Sequence, residues 1–178
     1  MGEIMFRRLH RGRTAAATAV TATVLALTGT YSSAATAADA HTTRNCVIVL
    51  DELQPGQTTS RVLSHTCTTG AASAKVQPAS IQSTLLMTWY ADANEGGAST
   101  QIRGSSGGCD ASGYGFAYVG DDWNDRISSY RLFGTCNSIS GYDNSNYGSQ
   151  IYYCGICTGD NIPWSANDRI SSMWVWRS

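Results

Sequence analysis

The hexapeptide Asn124-Asp125-Arg126-Ile127-Ser128-Ser129 recurs, residue for residue, as Asn167-Asp168-Arg169-Ile170-Ser171-Ser172. Each copy offers hard oxygen donors: an Asp carboxylate, a Ser hydroxyl three residues on, and the backbone carbonyls between them. Calcium takes six to eight such oxygens in a flexible shell, so a turn of this composition suits it. Zinc or copper would call for imidazole or thiolate ligands, and no histidine follows residue 65. The plain alternative is an Asn-Asp turn leading into a strand, with Ser side chains bonded to local backbone. Exact duplication favours the calcium reading.

A second pattern precedes each copy. Tyr90, Asn94 and Gly96 are echoed at the same spacing by Tyr142, Asn146 and Gly148. The same order of two motifs, twice, marks an internal repeat.

The elements that must position these residues are short and β-like. Runs such as 85–90, 115–119, 149–153 and 173–176 alternate with Gly/Asn/Asp/Ser turns, and no segment keeps a helical period over a dozen residues. That pattern predicts an all-β sandwich or small barrel. Every aromatic residue after the N-terminal 40 lies beyond residue 83. Aromatics supply much of a small core, so the compact module is expected at 84–178. Residues 41–83 read as a short N-terminal appendage and linker, with a strand at 47–50, a turn at Gln54-Pro55-Gly56 and a flexible stretch over 68–80. Within the module, the Gly-rich residues 97–114 read as a long surface loop.

Residues 1–40 have the layout of a secretory signal peptide: Arg7, Arg8, Arg11 and Arg13, then an apolar stretch from Ala15 to Leu27, then small residues that suit cleavage after Ala40 or Ala37. The apolar stretch falls short of the roughly 20 residues of a membrane span. The expectation is a secreted, extracellular monomer. All six cysteines lie beyond the signal, which argues for disulfides. The preferred pairing is Cys46 with Cys67, Cys109 with Cys136 and Cys154 with Cys157, although the four module cysteines allow three connectivities. After residue 40 there are eight Arg or Lys against eleven Asp or Glu, a net charge near −3. Such a balance offers no basic field for nucleic acid.

Catalysis is not expected. His41 and His65 both precede the module, and the Cys154-Gly155-Ile156-Cys157 pair follows a β-like run, whereas a redox pair opens a helix.

The paired Asn/Asp-Asn/Asp-x-x-Ser/Thr-Ser loops, each preceded by Tyr-x-x-x-Asn-x-Gly, resemble the microbial, calcium-binding βγ-crystallins over residues 84–178. The second aromatic usual in that hairpin is present as Tyr147 and replaced by Glu95 in the first copy. The resemblance implies two Greek-key motifs forming one two-sheet sandwich. It implies one calcium site built from Asp125, the Arg126 carbonyl, Ser128 and a carbonyl near Tyr147, and another from Asp168, the Arg169 carbonyl, Ser171 and a carbonyl near Glu95. Asn124 and Asn167 would shape the loops. It further implies a binding role: inhibition of an extracellular protease, with 97–114 as the contact loop, or else a killer-toxin-like or calcium-stabilised structural role.

Overall fold

Ten strands account for the regular structure of the computed structural model, which describes residues 44–70 and 82–178. The expected export signal and residues 71–81 of the expected linker lie outside the described residues. The strands are β1 (Arg44–Leu50), β2 (Val62–Thr69), β3 (Thr84–Asp92), β4 (Gly96–Gly104), β5 (Tyr114–Phe116), β6 (Ser129–Leu132), β7 (Ser138–Asn144), β8 (Gly148–Gly155), β9 (Gly159–Asn161) and β10 (Ser172–Trp176).

Alternation decides which face each strand buries. Along β4, Thr100, Ile102 and Gly104 point inward; along β10, Met173 and Val175 do so while Trp174 and Trp176 face out. The buried side chains of the two sheets meet in one core around Trp89, whose ring takes Phe116 and Trp123 edge-on at centroid distances of 5.2 and 5.8 Å. Both hexapeptide isoleucines, Ile127 and Ile170, are fully buried there. The repeated loops are therefore pinned to the core from beneath.

The sheet orders are β2-β1-β4-β3-β6-β9 and β5-β10-β7-β8. In the first repeat, β3 and β4 form a hairpin, β5 crosses to the other sheet, and β6 returns beside β3. The second repeat does the same with β7, β8, β9 and β10. Each is a Greek key whose third strand is lent to its partner's sheet, and the protein is an all-β sandwich of two such motifs.

Residues 44–70 are more than an appendage beside this sandwich. Strand β1 pairs in parallel with β4 and extends the first sheet, and β2 pairs antiparallel with β1 at the edge. Ile48 and Leu50 enter the common core. The next segment crosses to the second sheet, where Ser60 exchanges hydrogen bonds with Gly115 of β5, N–H to carbonyl at 2.9 Å and Gly115 N–H to Ser60 Oγ at 3.3 Å. Aromatic content alone missed this contribution, because the residues β1 sends into the common core, Ile48 and Leu50, are aliphatic. Thr68 and Thr69, expected in the linker, close β2.

A second departure concerns residues 97–114. Residues 96–104 are strand β4, lying between β1 and β3, so the loop is only 105–113. Close packing requires glycine at the end of β4: a Cβ on Gly104 would stand 2.4 Å from the Tyr114 hydroxyl and 2.6 Å from the Gly107 carbonyl.

The cysteines join as Cys46–Cys67, Cys109–Cys136 and Cys154–Cys157. The first links facing positions of β1 and β2. The second ties the 105–113 loop to the turn after β6, with a sequence separation of 27. A closed loop of that size contributes about 3–4 kcal/mol in the chain-entropy model. No helix among the described residues is long and apolar enough to cross a membrane.

Candidate functional site

Each hexapeptide opens on a tight turn. Asn124 N–H donates to the Gly120 carbonyl and Asn167 N–H to the Pro163 carbonyl, at 2.8 and 2.9 Å. Asp125 and Asp168 then take left-handed backbone angles, φ 56° and 54°, a conformation Asn and Asp accept more readily than most residues. The arginines turn back onto these turns: Arg126 donates to the Asp122 carbonyl and Arg169 to the Ser165 carbonyl, both at 2.7 Å. Their charges thus lie along the preceding turn, and their own carbonyls stay in the loops.

The asparagines orient the carboxylates. Asn124 Nδ2 donates to Asp125 Oδ2 at 2.8 Å, and Asn167 Nδ2 to Asp168 Oδ2 at 2.7 Å. One oxygen of each Asp is occupied in this way.

The two loops lie against each other across the repeat. Asp125 N–H faces the Ile170 carbonyl and Asp168 N–H faces the Ile127 carbonyl, both at 3.4 Å. As a result Ser128 Oγ donates to Asp168 Oδ1 at 3.0 Å, from one motif to the other. The grouping implied from sequence placed Ser128 with Asp125 and Ser171 with Asp168; Ser128 in fact meets the partner loop's carboxylate. A three-residue spacing within one loop suggested proximity, but the left-handed turn at the Asp sends the chain across the repeat.

The hairpins are distributed oppositely as well. Ser128 N–H donates to the Tyr90 carbonyl, and Ser171 N–H to that of Tyr142, so each loop sits on the hairpin of its own repeat. Ser171 Oγ donates to the Asp143 carbonyl at 2.8 Å. The carbonyls offered to the loops come from positions before Glu95 and Tyr147; those two residues face the loops with their N–H groups instead. Glu95 N–H donates to Ser129 Oγ and Tyr147 N–H to Ser172 Oγ, each at 3.0 Å. The same hydroxyls donate to the carbonyls of Asp92 and Asn144 at 2.6 Å. Ser129 and Ser172 are therefore the clips between loop and hairpin, a role sequence reasoning left unassigned although their duplication was visible.

This geometry also explains how Glu95 stands where an aromatic is usual. Its backbone, φ 60°, matches that of Tyr147, φ 61°, because the contact is made by N–H and needs no particular side chain. The Glu95 carboxylate turns outward to Arg131, which donates to it at 2.8 Å. That hydrogen-bonded guanidinium holds the Glu95 carboxyl below its ordinary range.

The donors seen around the loops are the Asp168 carboxylate and Ser128 hydroxyl on one side, and the Ser171 hydroxyl and Asp143 carbonyl on the other. A set made of oxygen alone fits calcium and not zinc or copper. A second cluster, Cys46, His65 and Cys67, brings nitrogen and sulfur together. Its two sulfurs are bonded to each other, so no thiolate is offered there.

Fold and site together define a two-sheet sandwich of duplicated Greek keys with facing oxygen-rich loops. Among solved structures the chain is similar to a mutant βγ-crystallin domain from Clostridium beijerinckii, at 23% identity over 53% of this chain and 100% of that one, TM-score 0.41. It is similar to a protein described under the evolution of the eye lens βγ-crystallin domain fold, at 16% identity over 55% and 91%, TM-score 0.42. An archaeal βγ-crystallin matches at 22% identity over 51% and 96%, TM-score 0.37. No protein-family model matches the chain. No curated protein matches it either.

Proposed function

We propose that this is a secreted, calcium-binding protein of βγ-crystallin type, whose two Greek keys are clamped together by ions at the loop junction. The observation that carries the reading is the Ser128–Asp168 contact across the repeat; Ser171 Oγ instead lies on the Asp143 carbonyl of its own repeat's hairpin. A cation would replace the hydroxyl proton as the link between Ser128 Oγ and the Asp168 carboxylate, and at the other loop between Ser171 Oγ and the Asp143 carbonyl. Asp125, Asp168, Ser128 and Ser171 would be side-chain ligands, with the Arg126 and Arg169 carbonyls beside them. Three disulfides accord with an oxidising compartment, and the N-terminal basic and apolar segments supply the export signal.

Because the Ser128–Asp168 contact joins the two motifs, binding there should be coupled to folding. One carboxylate per site places the affinity on the order of 10⁻⁵ to 10⁻³ M. At ten times Kd, each occupied site would add about 1.4 kcal/mol to stability. Thermal melts with added calcium should therefore rise in Tm, and chelator should reverse the rise. A melt indifferent to both would leave the hexapeptides as structural turns.

Protease inhibition is a second reading, now carried by the shorter 105–113 loop. Cys109 anchors this loop, and Asp110 Oδ1 accepts N–H bonds from Ser112 and Gly113 at 2.9 Å each. A loop held so firmly loses little entropy on binding. A panel of secreted metallo-, serine and cysteine proteases should show inhibition that falls at least tenfold on Asp110→Ala; absence of inhibition across the panel would remove this role.

A further inference from the structure

The outer face of the second sheet carries a cleft of about 710 Å³, whose far wall is the turn between β1 and β2. Trp174 and Trp176 of β10 and Tyr142 of β7 form its floor, with Ser140 between them; Gln54 and Gln57 overhang it. This volume is in the range of small-ligand sites, and the cleft is remote in chemistry from the oxygen clamp: none of the residues lining it carries a charge.

The rings are held in place before any ligand arrives. Trp174 donates its indole N–H to the Ser112 carbonyl at 3.0 Å and meets Tyr147 edge-on at 5.3 Å. Tyr147 in turn meets Tyr142 at 5.5 Å and donates its hydroxyl to the Thr58 carbonyl at 2.6 Å. Trp176 stacks on Tyr153 at 6.1 Å, with an angle of 29° between planes. The overhang is equally built: Gln57 N–H donates to the Gln54 carbonyl at 2.9 Å, and Gln57 Oε1 accepts from Gln54 N–H at 3.2 Å. Residues 53–57 thus serve as the wall of a preformed cleft.

We propose that this cleft binds a neutral oligosaccharide, as the end or a stretch of an uncharged polysaccharide. A pyranose ring presents a face of C–H groups and an edge of hydroxyls. Indole and phenol rings match the first through large apolar faces; the Gln54 and Gln57 amides match the second, since an amide both donates and accepts. The uncharged lining disfavours phosphorylated, acidic and basic ligands, which would lose hydration without gaining a partner. A long apolar chain would leave the overhanging amides facing hydrocarbon. The alternating ring and amide surface therefore selects neutral sugar.

The test is binding of the full-length chain, in calcium-containing buffer, to a glycan array and to insoluble neutral polysaccharides: cellulose, chitin, xylan and a β-glucan. Soluble fragments of whichever polymer binds are then titrated while following tryptophan fluorescence. The expected result is saturable binding that Trp176→Ala weakens at least tenfold, that Trp176→Phe restores to within threefold, and that Trp164→Ala, at a side chain 92% exposed in another loop, leaves unchanged. Melting curves for all three variants separate loss of the cleft from loss of the fold. Absence of binding to every neutral glycan, binding indifferent to Trp176→Ala, or capture of proline-rich peptides instead of sugars would each overturn the proposal.

Discussion

Replacing Leu50 by Ala should cost the folded protein about 2–5 kcal/mol, the range for emptying a fully enclosed aliphatic site. Leu50 has no exposed surface, lies in the common core, and accepts a backbone hydrogen bond from Ser105 N–H at 2.9 Å through its carbonyl. It pairs with Gly104 on one side and Val62 on the other. The loss follows from β1 being an interior strand of a six-stranded sheet. If residues 44–70 were a tail resting beside an independent module, the same substitution would change global stability by no more than about 0.5 kcal/mol. Urea unfolding, followed by the fluorescence of Trp89 and the other tryptophans, decides between the two. Val62→Ala on the outer strand, at a side chain 54% exposed, is the matched control and should be nearly silent.

The second large effect is expected at the loops. Replacing Asp125 and Asp168 together by Ala should abolish the calorimetric heat of calcium binding and the calcium-dependent rise in Tm, about 2.8 kcal/mol of linkage for two sites at ten times Kd. Both positions have left-handed backbone, so the Ala pair will also lower the Tm of the calcium-free protein; Asp125→Gly with Asp168→Gly removes the carboxylates without that strain. Unchanged heats in the Gly pair would sink the assignment. A double-mutant cycle then tests the grouping: Ser128→Ala should be non-additive with Asp168→Ala in calcium affinity and additive with Asp125→Ala. The reverse pattern would restore the within-loop grouping.

These two results bear on different physical questions. The first asks how far the core extends along the chain, and it is decided by apolar burial. The second asks whether the duplicated turns hold an ion, and it is decided by oxygen donors at the junction of the two motifs. A protein could pass either test and fail the other.

The all-β character was legible in the sequence because strand and turn signals are local: alternation in 173–176 and Gly/Asn/Asp clusters between short runs need no distant partner to be read. The duplication was legible for the same reason. The cysteine pairing preferred from order along the chain is the pairing the fold makes. What the sequence could not determine was which loop faces which. Asp125 and Ser128 are three residues apart, yet Ser128 reaches Asp168, because strand exchange between the two Greek keys and a left-handed turn at each Asp set the loops side by side. Nor could local composition assign residues 44–50 or 96–104: the first lacks aromatics and the second is rich in Gly and Ser, yet both are interior strands. Their burial comes from neighbours distant in sequence, β1 against β4 and β4 against β3, and only the tertiary structure supplies those neighbours.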